Sequence, residues 1–301
     1  MASNSAQLAA HFALVQSDNS FQRTARLRQS LWREKQGYPI GLNGTAPLGS
    51  RLAMPFAKDT LANYLTDTIR DVVRAEVINR SASSGQLYKE PRIFNDLLSS
   101  QPLCFNAFGE LQQDLGLASR VVGGLTGESD ANVTTVRFEY SPGRGDSEFT
   151  GDHSAFDVFI EYDCGSRRQF LGIEVKYVEN MAQSPARFRQ RYVEVAQTMG
   201  CFQEERQGEL RVAPLEQIWR DHLLAGSLVV HPEGRFDGGA FVVLYPEGND
   251  AVAQAIRRYR ECLLDDRTFS VWTLERYLAE VHSNGGKWAT AVEERYLGLV
   301  E

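Results

Sequence analysis

Residues 154–177 read S-A-F-D-V-F-I-E-Y-D-C-G-S-R-R-Q-F-L-G-I-E-V-K-Y. Residues 156–163 and residues 170–177 each alternate along the chain in the way that β-strands do. Between them, residues 164–166 (Cys-Gly-Ser) have the composition of a short turn. The pattern predicts a β-hairpin.

The hairpin brings three charged side chains towards one face. Successive side chains of a strand point to opposite faces, so Glu174 and Lys176 share a face about 7 Å apart at Cα. Asp157 lies on the face opposite its apolar neighbours. If both apolar faces pack against core helices, Asp157, Glu174 and Lys176 converge on the remaining face. Gly172 on that face leaves room beside the carboxylates.

Two carboxylates that lie this close repel each other, which favours a cation between them. Oxygen ligands suit Mg²⁺ or Mn²⁺, which keep bound waters and also take phosphate oxygens as ligands. Such an ion polarises a phosphate and lowers the pKa of a bound water. A nearby Lys176 can orient that water, transfer a proton or stabilise developing negative charge. The pattern therefore predicts a divalent-metal site.

The composition is that of a folded globular chain. The protein has 301 residues, of which 43% are hydrophobic and 24% are charged, close to the average for soluble domains. Its formal net charge of −7 argues against a surface coated in positive charge for nonspecific nucleic-acid binding. A carboxylate-rich metal site beside a local basic groove is compatible with that charge.

The cysteines and the N-terminus point to a cytoplasmic protein. The four cysteines are far apart and form no CxxC pair, which excludes zinc-ribbon and thioredoxin-like sites and predicts reduced thiols. The N-terminal segment has no basic region followed by a long apolar run. No stretch approaches the roughly 20 apolar residues of a membrane helix, so we expect neither a signal peptide nor a membrane span.

Apolar periodicity predicts the remaining elements. The first hundred residues are expected to form a helix at 21–35, a loop at 37–49 and a second helix that starts at Asp59 and ends at 81–85. After them we expect helices at 102–115, 185–204, 214–224 and directly after 250, with strands at 133–140, 240–245 and 268–272. This order predicts an α/β fold with a central mixed sheet flanked by helices. We expect a helical N-terminal extension, residues 1–100, packed on a core domain, residues 101–301.

The hairpin resembles the motif of a known family. Asp157, followed after sixteen residues by Glu174-Val175-Lys176, is similar to the PD-(D/E)xK nuclease superfamily. The α-β-β-β-α-β order over residues 101–250 resembles its restriction-endonuclease-like core. Phe156 stands where the motif has proline, a departure that the family tolerates. Uncharacterised bacterial members share the G-I-E-V-K-Y strand, an Arg-Tyr pair at 191–192 and a Q-x-W-R-x-H-L-L-A segment at 217–225.

The resemblance implies a divalent-metal-dependent nuclease that uses Mg²⁺ or Mn²⁺ to hydrolyse nucleic-acid phosphodiester bonds. Family frequency alone favours DNA over RNA. Asp157 and Glu174 would bind the metal and Lys176 would assist catalysis. Glu110, on the first helix of the core, is expected to reach the metal, with a solvated glutamate as the alternative.

Three arginines are predicted to contact the nucleic acid. Arg187 and Arg191 lie on the helix that in this superfamily often touches substrate, and Arg220 lies off the apolar face of the next helix. For Arg220 the alternative is a solvated side chain. In the same region we expect Tyr192 and His222 to belong to the core.

Alternatives remain open at this stage. The charged hairpin can be an ordinary cross-strand salt bridge, or it can belong to a nuclease fold that has lost activity and acts as a nucleic-acid-binding or regulatory module. A helical interaction protein without a central sheet is a third alternative. Asp152, five residues before Asp157, is expected to be a turn residue. The sequence leaves the oligomeric state open.

Overall fold

A computed structural model describes residues 5–80, 88–181 and 185–299. The chain divides into two compact units. The first unit contains Met1–Gln113 and Val281–Glu301, and the second unit contains Asp114–Glu280. The division predicted from the sequence, an extension of residues 1–100 and a core domain of residues 101–301, stays a prediction about folding domains.

The described residues form helices and strands in the following order along the chain. The helices are α1 (Ser5–Ala10), α2 (Ser20–Lys35), α3 (Phe56–Thr60), α4 (Asp67–Val73), α5 (Arg92–Asn95), α6 (Ser100–Gln113), α7 (Leu115–Thr126), α8 (Gln190–Met199), α9 (Gln207–Leu210), α10 (Glu216–Val229), α11 (Asp250–Arg260), α12 (Leu274–Ser283) and α13 (Ala289–Tyr296). The strands are β1 (Ile40–Asn43), β2 (Ala46–Leu52), β3 (Ala131–Tyr140), β4 (Phe156–Cys164), β5 (Arg167–Val175), β6 (Ala240–Tyr245) and β7 (Phe269–Thr273).

In the first unit, the arginine-rich helix is confirmed as α2, but its arginines have structural roles. Arg26 binds the carboxylate of Asp18 at 2.6 Å, and Arg28 donates to backbone carbonyls close to the chain's C-terminus. The buried Arg33 donates to the backbone carbonyl of Gly49 at 2.9 Å. Arg33 is therefore a buried structural residue whose guanidinium group is bonded to the backbone.

Two other expectations for the first unit are corrected. The predicted loop 37–49 contains β1 and the start of β2, which pair as an antiparallel hairpin. Its two-residue turn, Gly44 and Thr45, begins with Gly44 at a positive φ of 62°, which glycine tolerates at the first position of such a turn. The helix predicted from Asp59 is interrupted, because α3 ends at Leu61, which has a left-handed φ of 52°, and α4 starts afterwards. Its predicted end at 81–85 lies outside the described residues.

The second unit is built on a five-stranded sheet in the order β3-β4-β5-β6-β7. The β3–β4 and β4–β5 pairs are antiparallel, whereas the β5–β6 and β6–β7 pairs are parallel. The predicted α/β fold with a central mixed sheet is therefore confirmed, and a helical protein without a sheet is excluded. Helix α7 was not predicted.

Both faces of this sheet are covered. The register places Phe159 opposite Gly172, on the face from which Glu174 also projects, and Phe159 stacks on Phe170 at 5.4 Å. Tyr192 of α8 and Trp219 of α10 belong to the same apolar cluster. Helices α8 and α10 therefore pack on the face that carries Glu174, in addition to the face where the sequence predicts the core helices.

Helix α8 is shorter than the predicted 185–204. Residues 185–189 lie outside any helix, and Arg189 has extended backbone angles as the N-cap of α8. At the other end Gly200 adopts a left-handed φ of 64°, which ends a helix because glycine tolerates that conformation. Residues 185–189 therefore form an exposed, non-helical segment.

The structure also describes the apolar character of the helices and the state of the cysteines. In the part of the chain that the structure describes, no helix has the length and apolar character that crossing a bilayer requires. The four cysteines are buried free thiols.

His222 is a core residue, as predicted. It is fully buried, and its two ring nitrogens lie 2.8 Å from the Tyr259 hydroxyl and 2.8 Å from the Thr268 hydroxyl. Burial lowers the pKa of His222 to about 3. The imidazole is therefore neutral in the folded protein.

This neutral histidine predicts an acid-dependent loss of stability. The unfolded chain takes up a proton below about pH 6.5 and the folded His222 does not, so stability falls as the pH drops. Between about pH 6.5 and pH 5 the loss is about 1.5 kcal/mol. Urea unfolding at the two pH values should show this difference, and His222→Gln should reduce it by that amount. The exposed His153→Gln is the control, and an unchanged pH dependence in His222→Gln would contradict the assignment.

Candidate active site at the ends of strands β4 and β5

The structure brings Asp157, Glu174 and Lys176 together. Asp157 is the second residue of β4 and Glu174 is the penultimate residue of β5. The backbone N–H of Val175 donates to Asp157 Oδ2 at 2.8 Å, which fixes the carboxyl of Asp157 beside the end of β5. Lys176 directly follows the strand, and its N–H donates to the Leu244 carbonyl of β6 at 2.8 Å.

Glu174 and Lys176 form a buried hydrogen-bonded group with a residue of α10. Lys176 Nζ lies 2.6 Å from Glu174 Oε1 and donates to Gln217 Oε1 at 3.1 Å. Gln217 Nε2 in turn donates to Glu174 Oε1 at 2.7 Å. Because both donors use Oε1, they fix the carboxylate plane, and Oε2 has no hydrogen-bond donor among the described residues.

The electrostatics of the site show an excess of negative charge. Burial raises the pKa of Asp157 well above its usual value, and the carboxylates of Glu174 and Glu139 raise it further. Burial alone would lower the pKa of Lys176, but the carboxylates of Glu174, Glu179 and Asp157 outweigh it and raise that pKa above its ordinary value. Lys176 is therefore a permanent cation, and a second positive charge would relieve the remaining repulsion.

Gly172 does not provide the expected open space. A Cβ at this position would come within 2.5 Å of the Phe156 ring. The ring therefore occupies the space that a side chain at position 172 would need. Phe156 therefore lies on the Gly172 face, and its predicted position on the opposite face is wrong. The alternation of side chains along β4 is interrupted near Asp157. This residue lies beside Glu139 of β3, whose backbone has a left-handed φ of 47°.

The loop before β4 is held by a buried carboxylate. Asp152 accepts hydrogen bonds from Thr150 Oγ1 and from the backbone N–H and the hydroxyl of Ser154, each at 2.9 Å, as a turn residue does. It also accepts one from the Tyr192 hydroxyl at 2.6 Å. These hydrogen bonds lower the pKa of Asp152 although burial opposes them. The loop is thereby tied to α8.

Two of the arginines predicted to contact nucleic acid are engaged with this loop. Arg191 donates through Nε to the Phe149 carbonyl at 2.8 Å and through Nη2 to the Glu148 carbonyl at 2.8 Å. Arg220 donates to Ser154 Oγ at 2.7 Å. Arg187 is exposed in the segment before α8. Contacts of these arginines with phosphate stay a prediction.

Glu110 belongs to α6 in the first unit. Its carboxylate accepts a hydrogen bond from the Thr66 hydroxyl, which also caps α4. A role for Glu110 as a metal ligand stays a prediction.

The donor set fits a partly hydrated ion better than a closed cage. Among the residues that the structure describes, no group of three or more His, Cys, Asp or Glu side chains is placed to hold an ion. Mg²⁺ is usually bound by one or two carboxylates, with waters and substrate phosphate oxygens as the other ligands. Asp157 and Glu174 match that arrangement in number and in chemistry.

A cleft at the other end of the sheet is separate from this site. It has a volume of about 710 Å³ and is lined by residues that include Arg167, Gln169 and Ala240, at the opposite end of β5. Its size therefore carries no information on the access of a substrate to Asp157, which is the most exposed of the three charged residues.

Sequence reasoning gave no role to two residues of α10. Gln217 bridges Glu174 and Lys176, and Asp221 lies one helical turn further on and is 3% exposed. Burial raises the pKa of Asp221 to about 8, with Arg220 opposing the rise and Glu174 adding to it. The i, i+4 spacing of Gln217 and Asp221, which places both side chains on one face of α10, was the available signal.

We expect the substitution Asp221→Asn to stabilise the protein. The folded state holds the proton and the unfolded state releases it near pH 4, so the destabilising effect of the carboxyl grows as the pH rises towards 8. With EDTA present, Asp221→Asn should raise the free energy of unfolding more at pH 8 than at pH 5, by at least about 2 kcal/mol. The exposed Asp266→Asn is the control. An Asp221→Asn effect that is equal at both pH values would contradict the buried, protonated carboxyl.

Comparison with known proteins gives one match. Residues 16–298, nearly the whole chain, match the family model described as the PD-(D/E)XK nuclease superfamily. No curated protein and no solved structure matches the chain.

Proposed function

Because this chain belongs to the PD-(D/E)XK nuclease superfamily, we propose that it is a divalent-metal-dependent nuclease that hydrolyses phosphodiester bonds with Asp157, Glu174 and Lys176. The observation that carries the proposal is the meeting of two carboxylates and one ammonium group at the ends of β4 and β5. DNA is proposed over RNA on the frequency of DNA substrates in the superfamily. A cytoplasmic location is part of the same proposal.

Asp157 and Glu174 would hold the metal, with Glu110 as a further proposed ligand. When bound, Mg²⁺ or Mn²⁺ supplies Lewis-acid polarisation of a phosphate and of a water molecule. The residues of the chain prepare the site: Val175 N–H fixes one oxygen of Asp157, and Gln217 with Lys176 fixes one oxygen of Glu174.

Lys176 would act as a fixed positive charge. The surrounding carboxylates raise its pKa, so the ammonium group is suited to stabilising negative charge on a phosphate. Gln217 holds the ammonium group in place and is a positioning residue. Arg187, Arg191 and Arg220 are the proposed phosphate contacts, of which Arg187 is exposed and the other two also hold the loop at 148–154.

One observation favours a second candidate function. The Lys176–Glu174 ion pair is buried, with side-chain exposures of 5% and 11%, so it can also be a structural ion pair. A catalytically inactive protein of this fold would then bind nucleic acid or regulate another protein. The two candidate functions predict different effects on cleavage when the charge of Asp157 is removed.

Asp157→Asn should abolish cleavage and leave the fold as stable as before or more stable. Asparagine keeps the size of the side chain and an oxygen that can accept from Val175 N–H, while it removes a half-buried carboxylate with a raised pKa. We expect Mg²⁺- or Mn²⁺-dependent cleavage of supercoiled DNA, linear DNA or RNA to fall by at least about 100-fold. Thermal unfolding of the same samples, with EDTA, measures the stability.

Two matched variants control this experiment. The exposed Asp266→Asn and Lys287→Met should cleave as the wild type does, whereas Lys176→Met should lose activity. Wild-type protein that cleaves none of the substrates with either metal would support the inactive alternative. Cleavage by Asp157→Asn at the wild-type rate would contradict the proposed site.

A further inference from the structure

An exposed aromatic residue lies among unpaired arginines just before α8. Residues 185–189 read Pro-Ala-Arg-Phe-Arg, and the ring of Phe188 is 43% exposed. The guanidinium group of Arg211 lies over this ring, 4.5 Å from its centroid. We call Arg187, Phe188, Arg189 and Arg211 the Phe188 platform.

The Phe188 platform packs against a buried residue of the core. The Phe188 ring meets the ring of Tyr192 edge-on, with centroids 6.1 Å apart. Tyr192 is buried, and its hydroxyl is bonded to Asp152. The exposed ring is therefore mounted on a fixed residue of the core, which limits the conformational entropy lost when a ligand binds.

The platform lies next to the candidate active site. The backbone N–H of Ala186 donates to Glu216 Oε1 at 3.2 Å. Gln217, the next residue of α10, donates to Glu174 and accepts from Lys176. A strand that crosses the platform is thus close to the proposed catalytic residues.

The charge of the platform suits a nucleic acid. Within the described residues, Arg187, Arg189 and Arg211 form no ion pair with a carboxylate, and all three are exposed, in a protein whose formal net charge is −7. A local cluster of cations on an acidic protein attracts phosphate groups. The Phe188 ring and the planar guanidinium group of Arg211 also offer flat surfaces on which a base can stack.

We propose that the Phe188 platform stacks against an unpaired base, and that the site therefore acts on single-stranded DNA or on single-stranded segments of DNA. This inference rests on the proposed nuclease function. In a duplex each base is already stacked between its neighbours, so a side chain on the protein surface reaches its face only after unstacking. A single strand presents base faces and phosphates together, which matches the ring and the three arginines.

The test measures binding without cleavage. In EDTA, fluorescence anisotropy follows a labelled oligothymidylate, an abasic strand of the same length, a matched duplex and an oligouridylate. We expect the wild type to bind oligothymidylate more tightly than the abasic strand and the duplex. Phe188→Ala should weaken binding to oligothymidylate by about 10- to 100-fold, and leave binding to the abasic strand unchanged. Phe188→Trp should restore the affinity.

The control is Leu264→Ala, which removes another exposed apolar side chain, 67% exposed, and should bind as the wild type does. Equal affinities of Phe188→Ala and the wild type for oligothymidylate would overturn the platform, as would wild-type binding to the duplex that is as tight as to the single strand. Oligouridylate bound more tightly than oligothymidylate would overturn the choice of DNA. Cleavage of the same strands with Mg²⁺ is measured in parallel, so that the nuclease function can stand if the platform fails.

Discussion

The repulsion between two carboxylates at the ends of adjacent strands is the constraint on which this site depends. The pairing of β4 with β5 begins at Val158 and Ile173, directly beside Asp157 and Glu174, and the Val175 N–H holds the Asp157 carboxyl at the end of β5. The only ammonium group that the described site contributes is that of Lys176, and it lies 2.6 Å from Glu174. Asp157 is left with a raised pKa. This arrangement of carboxylates favours the binding of a cation.

The surrounding elements maintain this arrangement. Helix α10 covers the carboxylate face, and its Gln217 orients one oxygen of Glu174 and the ammonium group of Lys176. The loop before β4 is fixed by the hydrogen bonds of Asp152 and Arg191. The polar groups that approach the site are thus themselves held by buried hydrogen bonds, which is the kind of support that keeps a functional geometry in place.

Much of this could be predicted from the sequence, because the deciding signals are local. Alternation and a short turn give the hairpin, and strand geometry places Glu174 and Lys176 on one face whatever surrounds them. The signal fails where tertiary contacts decide. The ring of Phe156 crosses to the Gly172 face at an irregularity next to Glu139, and no periodic pattern shows it. The contact of Gln217 with Glu174 depends on how α10 packs on the sheet, across more than forty residues of chain.

We propose above all that Asp157 and Glu174 together bind a divalent cation. The most direct measurement is a crystal structure of the full chain grown with Mn²⁺, with diffraction recorded so that anomalous scattering identifies the metal. We expect an anomalous peak in contact with oxygens of both Asp157 and Glu174, and its loss in crystals of Asp157→Asn. An anomalous map without a peak at these carboxylates at saturating Mn²⁺, or a peak that persists unchanged in Asp157→Asn, would contradict the claim.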